Sequence, residues 1–269
     1  VIIGDVTIGA PPPLEMFITT QDVDCPGDRN GAIEITTVNG GVPFYMYSVN
    51  NEPFSEINGA AGLSGGDYFV QVMDENGCLI LDTINIHEPE GYIIDAGDKI
   101  RILLGEETQL NGIVQPAVGQ VISWTPPDFL NCDNCPDPYL RPTQTMLYTF
   151  TVTDPESGCF LVDSVLVEVD PVRNVFIPNA FSPNGDGTND FFTIFAGIAV
   201  EEILDFKVFD RWGELVYENS NFLPNDPKLG WDGVLDGKLM NPGVFTYFAK
   251  VSFIDGVKEF YSGDMTLLR

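Results

Sequence analysis

The feature that most constrains the fold of this 269-residue chain is a hairpin pattern that occurs twice. Residues Tyr68–Ile84 read YFVQVMDENGCLILDTI, and residues Tyr148–Val165 read YTFTVTDPESGCFLVDSV. In each copy, alternating apolar residues lead through a turn that contains Gly into a second alternating stretch, which is typical of a β-hairpin. The copies lie about 80 residues apart, the size of a small β-sandwich, so the sequence predicts an array of β modules.

The predicted fold is therefore all-β, with three tandem Ig-like β-sandwich modules and a stub strand from a fourth module at the N-terminus. The stub is inferred from residues 6–11, VTIGAP, which match residues 84–89, INIHEP, as a closing strand followed by a linker that contains Pro. The predicted boundaries are 1–13 for the stub and its linker, 14–90 for module one, 91–172 for module two and 173–269 for module three.

Alternation of apolar and polar residues also predicts individual strands within these modules. Leu79–Ile86 in module one and Lys258–Leu267 in module three follow this pattern over their whole length. Phe191–Phe195 is a further predicted strand of module three, and Trp124 takes the place of the core tryptophan of an Ig-like strand in module two.

Composition narrows the classes of function. The chain has 40 acidic and 12 basic residues, a net charge of −28, which argues against nucleic acid because phosphate groups need Lys and Arg partners. No apolar run approaches the ~18 residues of a membrane-spanning helix. No nucleophile, general base or cofactor motif is recognisable, so the chain is predicted not to be an enzyme and to have no certain cofactor.

The five cysteines are an odd number, so at least one thiol has no partner within the chain. Cys25 and Cys78 are the only cysteines of module one, which predicts a Cys25–Cys78 disulfide, although an Ig topology can place the two at opposite ends of the sandwich. Cys132 and Cys135 form a CxxC motif with too few neighbouring ligands for zinc, which favours a local bridge or free thiols over a metal or redox site. Cys159 is then predicted to be free.

The segment Phe181–Asp190, FSPNGDGTND, has the composition of a tight loop rather than of a strand or a helix. The side-chain oxygens of Asn184, Asp186, Asn189 and Asp190 can converge on one point, which predicts a candidate calcium site. Two alternatives remain open at this stage. The loop can be a hydrogen-bonded Asx turn that needs no metal, or a recognition loop that is compatible with either arrangement.

Five segments in the same order give module three a family resemblance. They are Val175–Asp190, Val208–Gly213, Trp231–Gly233, Asn241–Tyr247 and Gly263–Arg269. On these segments, module three resembles the gliding-motility-associated, type B C-terminal sorting domain of proteins that gliding Bacteroidota export by the type IX secretion system. The resemblance implies a sorting and recognition motif made of Phe181, Pro183, Asn184, Gly185, Asp186, Gly187, Asn189, Asp190, Arg211, Trp212, Gly213, Trp231, Asp232, Gly233 and Arg269.

The preceding modules show weaker resemblances. Module one is similar to the SprB-like repeat of large gliding adhesins, through Gly40–Tyr47 and Asp74–Cys78 among other segments. Module two is similar to an Ig- or PKD-like domain, through Trp124 and Leu130–Pro136. The resemblance implies a secreted protein of the cell surface, attached to the outer membrane. Its implied partners are the type IX translocon, a PorV-type shuttle barrel and a PorP/SprF-type outer-membrane protein.

Three functions remain open from the sequence. The chain can be the C-terminal part of a non-enzymatic adhesin or filament protein, which associates with itself or with another surface. It can also be a passive stalk and sorting domain for an enzyme that lies upstream, or a module that binds extracellular glycan. Arg211, Trp212 and Trp231 likewise have two interpretations, because exposed aromatic residues can bind a glycan or a barrel, whereas buried ones pack the core.

Overall fold

The computed structural model describes residues 9–117 and 119–269. This part of the chain is all-β, as predicted, and its helical content is a single 3-10 turn at Pro227–Leu229. Residues 1–8, which contain most of the predicted stub strand, lie outside the described residues. No helix in the described ranges is long and apolar enough to cross a membrane.

The chain divides into two compact units, so the predicted three-module boundaries stay a prediction. Unit 1 contains module one together with two short segments of module two, and unit 2 contains the rest of module two and module three. The ranges are Val1–Ile93, Gln115–Val121 and Thr153–Leu161 for unit 1, and Ile94–Val114, Ile122–Val152 and Val162–Arg269 for unit 2.

Module one consists of two three-stranded antiparallel sheets, ordered β1-β2-β4 and β3-β5-β6. The alternation in β2 and β5 points Ile and Val side chains inward, and these form a small aliphatic core. The strands are β1 (Glu15–Gln21), β2 (Gly31–Asn39), β3 (Met46–Val49), β4 (Gly59–Leu63), β5 (Gly66–Met73) and β6 (Leu79–Ile86).

The predicted Cys25–Cys78 disulfide is wrong. Cys25 bonds to Cys159, with their Cα atoms 5.6 Å apart, and Cys78 is the free, exposed cysteine. The physical reason is that Cys25 lies in the loop between β1 and β2, whereas Cys78 lies in the turn between β5 and β6, in the other sheet. The prediction that Cys159 is free is wrong for the same reason.

Module two has a four-stranded sheet in the order β11-β13-β14-β8, in which β8 pairs parallel to β14. Trp124 is buried as predicted, stacked on Phe150 at 4.6 Å between ring centroids. The predicted Cys132–Cys135 bridge is present. The strands are β7 (Ile93–Asp95), β8 (Ile100–Leu103), β9 (Thr108–Gln109), β10 (Ile113–Gln115), β11 (Val121–Thr125), β12 (Tyr139–Leu140), β13 (Met146–Thr153) and β14 (Phe160–Asp170).

Module three is built on a five-stranded sheet in the order β16-β23-β22-β18-β19. The C-terminal strand β23 pairs antiparallel with β22 and parallel with the short strand β16. The strands are β15 (Val175–Phe176), β16 (Ala180–Phe181), β17 (Phe195–Ala196), β18 (Val200–Phe209), β19 (Leu215–Asn219), β20 (Val234–Leu235), β21 (Lys238–Leu239), β22 (Gly243–Phe253) and β23 (Lys258–Leu267).

The predicted strand Phe191–Phe195 is wrong except at its last residue. Phe192, Thr193 and Ile194 are buried in succession, so the segment does not alternate between a core face and a solvent face as a half-buried strand does. Phe192 instead forms an isolated bridge with Trp231, exchanging two backbone hydrogen bonds of 2.7 and 2.9 Å.

Candidate functional site

The loop at residues 182–190 is held by its own Asn and Asp side chains. Asn184 Oδ1 accepts from the backbone N–H of Asp186 at 3.0 Å, and Asp186 Oδ1 accepts from that of Thr188 at 2.8 Å. The Asn184 amide also donates to Asp186 Oδ2 at 2.9 Å. A short polar side chain that bonds the backbone two residues later is an Asx turn, so this loop is a run of consecutive Asx turns.

Asp190 closes the loop. Its Oδ1 accepts from the backbone N–H of Gly185 at 2.7 Å, and its Oδ2 accepts from that of Gly187 at 2.8 Å. These two hydrogen bonds stabilise the charged carboxylate and hold the pKa of Asp190 below its ordinary value of 3.8. Gly185 and Gly187 both have positive φ, near +80°, which explains the glycines at these positions.

The base of the loop is part of the module-three core. Phe181, in β16, is buried against Trp231, with ring centroids 5.5 Å apart. Gly233 has φ +78°, and a Cβ on it would lie 2.8 Å from Leu267 and 3.0 Å from Pro183. Glycine is therefore required where the Trp231–Gly233 turn approaches the loop and the C-terminal strand.

The C-terminal residue is tied to the same region. The Arg269 guanidinium donates to the backbone carbonyl of Met240 at 2.6 Å, and the Met240 N–H donates to the carbonyl of Gly233 at 2.9 Å. Asp232 is exposed, and its Oδ1 accepts from the N–H of Val234 at 3.0 Å. Asp232 and Arg269 therefore fix turns in the structure around the loop base.

The hairpin tip between β18 and β19 presents the most exposed tryptophan. Trp212 is 80% exposed, and the Arg211 guanidinium lies 4.9 Å from its ring centroid. Asp210 Oδ1 accepts from the backbone N–H groups of Trp212 and Glu214, both at 2.8 Å, and Gly213 adopts φ +82° to complete the turn. Hydrogen bonds hold the backbone of this tip, and its large apolar side chain is exposed beside Arg211.

The sequence motif therefore separates into a buried part and an exposed part. Trp231 is fully buried, as core packing requires, whereas Trp212 is exposed. The loop base and the hairpin tip lie at the same end of the five-stranded sheet. Phe181 pairs with Leu267, which pairs with Gly243 at the start of β22, and Phe209 pairs with Thr246, three residues further along β22. The loop base and the tip are separated by three strand spacings of about 4.8 Å each.

A cleft of about 250 Å³ adjoins the loop. Gly187, Asn189 and Asp190 contribute one part of its lining, and Asp226 and Lys228, at the 3-10 turn, contribute another. The sequence motif did not include Asp226 or Lys228. The available signal was the Asn-Asp-Pro run at residues 225–227, which is typical of a turn but carries no indication that it faces the loop.

Calcium at the loop stays a prediction. Asn184 Oδ1, Asp186 Oδ1 and both carboxylate oxygens of Asp190 accept backbone N–H groups, so these residues order the loop without an ion. Carboxylate oxygens keep a second lone pair that can face a cation. Across residues 9–117 and 119–269, no three His, Cys, Asp or Glu side chains gather in a group that could hold a metal ion.

Family models match two regions of this chain. The model described as the CHU_C type IX secretion signal domain matches residues 175–267, which include the loop, the hairpin tip and the C-terminal strand. Residues 175–267 are a type IX secretion signal domain. The SprB repeat model matches residues 18–54, within module one. We call residues 175–267 the sorting domain. A domain of this kind indicates a protein that interacts with the type IX secretion system for export to the cell surface.

Solved structures give more distant similarities. Three N-terminal domains of the outer capsid protein Hoc of bacteriophage RB49 are 12% identical, covering 95% of this chain and 99% of that chain with a TM-score of 0.33. The titin I-band fragment I67–I69 is 11% identical, covering 97% of this chain and all of that chain, 100%, with a TM-score of 0.35. No curated protein matches this chain.

Proposed function

We propose that the protein is a non-enzymatic adhesin or filament subunit of the cell surface, and that its sorting domain is read by the export machinery through the end of the sheet that carries Trp212 and the 182–190 loop. The partners proposed for this end are a PorV-type shuttle barrel and a PorP/SprF-type outer-membrane protein. We propose that the sorting domain is retained and attaches the chain to the outer membrane.

The observation that carries this proposal is the contrast between Trp212 and its surroundings. An exposed tryptophan on a turn held by hydrogen bonds offers a large contact area with little conformational entropy left to lose on binding. At the same end of the sheet, the 182–190 loop presents carboxylate groups that its own hydrogen bonds hold in place. Both families matched here, a sorting domain and a repeat, are non-catalytic.

Truncation tests the assignment of export to the sorting domain. Removal of residues 174–269 from the full chain is expected to leave the protein in the periplasm, as measured by protease accessibility on intact cells. Removal of residues 14–90 is the matched control and is expected to preserve surface display. Normal display of the chain that lacks residues 174–269 would defeat the assignment.

A second candidate function, glycan binding, is favoured by a cleft in module one. The cleft measures about 310 Å³ and combines the tyrosines Tyr47 and Tyr68 with the polar residues Asn50 and Glu52. Aromatic rings with a few convergent polar groups suit a sugar. The test is retention of the chain on extracellular polysaccharide. Glu52→Ala is expected to weaken retention, whereas the control Glu56→Ala is expected to leave it unchanged because Glu56 lies outside the cleft lining. No retention of the unmodified chain would contradict glycan binding.

A further inference from the structure

The loop that carries Cys25 lies beside the segment that leaves module one. The backbone N–H of Val23 donates to the carbonyl of His87 at 3.0 Å, and the N–H of Gly27 donates to Glu88 Oε1 at 2.7 Å. Residues 87–88 follow directly after β6, the last strand of the module. Cys25 is therefore presented where module one ends and the linker to module two begins.

The partner of Cys25 lies at the tip of the β13–β14 hairpin. At this tip the Asp154 N–H donates to the Cys159 carbonyl, and the Gly158 N–H donates to the Asp154 carbonyl, both at 2.8 Å. The hydroxyl of Tyr92, in the linker, donates to Asp154 Oδ2 at 3.0 Å. The tip thus lies against the incoming linker, where Cys159 meets Cys25.

The β5–β6 tip of module one repeats this arrangement. The Asp74 N–H donates to the Cys78 carbonyl, and the Gly77 N–H donates to the Asp74 carbonyl, both at 3.0 Å. Gly77 has φ +78°, and its counterpart Gly158 has φ +76°. Cys78 therefore occupies the position that Cys159 occupies in module two, yet it is exposed and free.

The linker that enters module one is connected to this tip through the loop between β2 and β3. The Pro12 carbonyl accepts from the N–H of Gly41 at 2.8 Å, and the next amide, that of Val42, donates to Asp74 Oδ2 at 2.9 Å. Asp74 Oδ1 in turn accepts from the N–H of Cys78 at 2.7 Å. A continuous set of hydrogen bonds thus joins the incoming linker to Cys78, as one joins Tyr92 to the tip of Cys159.

We propose that Cys78 forms a disulfide with the counterpart of Cys25 in a second SprB-type repeat that is joined to module one through Gly9. The internal precedent is the Cys25–Cys159 bond, which connects the exit loop of one module to the hairpin tip of the next. Among the described residues the other cysteines are already paired, which leaves Cys78 without a partner thiol. The bond links adjacent repeats covalently and makes an array of repeats stiffer than it would be if only the linkers joined them.

The oxidation step is balanced by thiol–disulfide exchange. The two thiols lose two protons and two electrons as the S–S bond forms, and the electrons reduce the disulfide of an oxidoreductase of the thiol–disulfide exchange class to a dithiol. The reaction requires both thiols to meet within a Cα separation of about 4.4–6.8 Å. The hydrogen bond from Gly41 to the Pro12 carbonyl, together with those of Asp74 to Val42 and Cys78, favours this approach.

The test is a thiol map of the intact exported protein. The protein is alkylated without reduction, digested and analysed by mass spectrometry. The expected result is that the Cys78 peptide is disulfide-linked to a cysteine peptide from outside residues 9–269, whereas the Cys25–Cys159 peptide serves as the internal control for oxidation. An alkylated Cys78, or a Cys78–Cys78 dimer, in a sample whose control bond is intact would overturn the proposal.

A duplication gives a second measurement. An extra copy of residues 14–86 is joined directly to Gly9 of the full chain and oxidised with glutathione disulfide. The expected bond joins Cys25 of the added copy to Cys78 of the original copy and disappears in the matched variant with Cys78→Ser in the original copy. If both of these thiols are alkylated while Cys25–Cys159 of the original copy has formed, the proposal fails.

Discussion

The cores of unit 1 and unit 2 differ in the kind of side chain that fills them. The fully buried hydrophobic residues of module one are Val and Ile, such as Ile33 and Val70, whereas unit 2 buries Trp124, Trp231 and several phenylalanines. An aromatic ring buries about 150–250 Å² and contributes ring–ring contacts beyond its area. Unit 2 is therefore stabilised mainly by packing. Unit 1 has a smaller core and also contains the disulfide that spans 134 residues of sequence.

This difference bears on function. The aromatic core of module three packs against the base of the 182–190 loop through Phe181, and Asp210 holds the turn that displays Trp212. Module one is connected at both ends, through the Cys25–Cys159 bond and Gly27 at its exit and through Gly41 at its entry. A repeat that is stabilised by its neighbours is suited to an array.

The largest expected effect is on the aromatic core of module three. Trp231→Ala removes a fully buried ring that contacts Phe181 and Phe245, and is expected to lower the free energy of unfolding of unit 2 by about 3–5 kcal/mol. Denaturant titration followed by tryptophan fluorescence measures it, because all three tryptophans lie in unit 2. Trp212→Ala is the control, with a change within about 0.5 kcal/mol. Equal losses in both variants would contradict the division into buried and exposed tryptophans.

The next effect concerns the covalent bond of unit 1. The double variant Cys25→Ser, Cys159→Ser is expected to destabilise unit 1 by about 2–4 kcal/mol, because the disulfide restricts the unfolded chain. Calorimetry reports it as a downward shift of one transition, while the fluorescence transition of unit 2 stays in place. Cys78→Ser changes neither, since its thiol is free. A shift of the unit 2 transition alone would show that the comparison between the units is wrong.

These contrasts also show what the sequence could and could not predict. Leu79–Ile86 and Lys258–Leu267 were predicted with their observed bounds because their side chains alternate along a half-buried strand. Gly59–Leu63 was missed because the sequence GAAGL has almost no side chain with which to show a period. The partner of Cys25 was missed because it depends on how one module follows another, which local pattern does not record.

The candidate site was predictable to a similar degree. The Asn, Asp and Gly residues of 184–190 predict a turn, and the structure shows Asx turns there. The sequence could not distinguish Trp212 from Trp231, because both precede a glycine. Only the structure places Trp212 at the tip of the β18–β19 hairpin and pairs Trp231 with Phe192 in the core. Asp226 and Lys228 line the same cleft as the loop, which only the tertiary structure shows.

A smaller effect is expected at the loop itself. The pKa of Asp190 is lowered in the folded chain, so its contribution to stability is present above its ordinary value of 3.8 and is lost as the pH falls through the lowered pKa. In an NMR titration, the amide shifts of Gly185 and Gly187 are expected to change with a midpoint below 3.8. Asp190→Asn should abolish this titration. A midpoint at or above the ordinary value would contradict the two hydrogen bonds.

The smallest effect concerns calcium. Because the backbone already satisfies Asp190 and Asp186, the transition temperature of unit 2 is expected to be the same in excess calcium and in chelator. Calorimetry of the full chain measures it. A fall on chelation that calcium restores, and that Asp186→Asn abolishes, would instead establish the metal site predicted from Asn184, Asp186, Asn189 and Asp190.

We propose that the exposed end of the sorting domain, and not its stability alone, carries the export signal. The most direct test is surface display of the full chain with Trp212→Ala beside the matched control Phe260→Ala, which removes another exposed aromatic that is 65% exposed and lies over Lys250 on the sheet. Both variants are first shown to unfold like the parent. We predict that Trp212→Ala accumulates in the periplasm while Phe260→Ala reaches the surface. Equal display of the two variants would show that Trp212 is not part of the export signal.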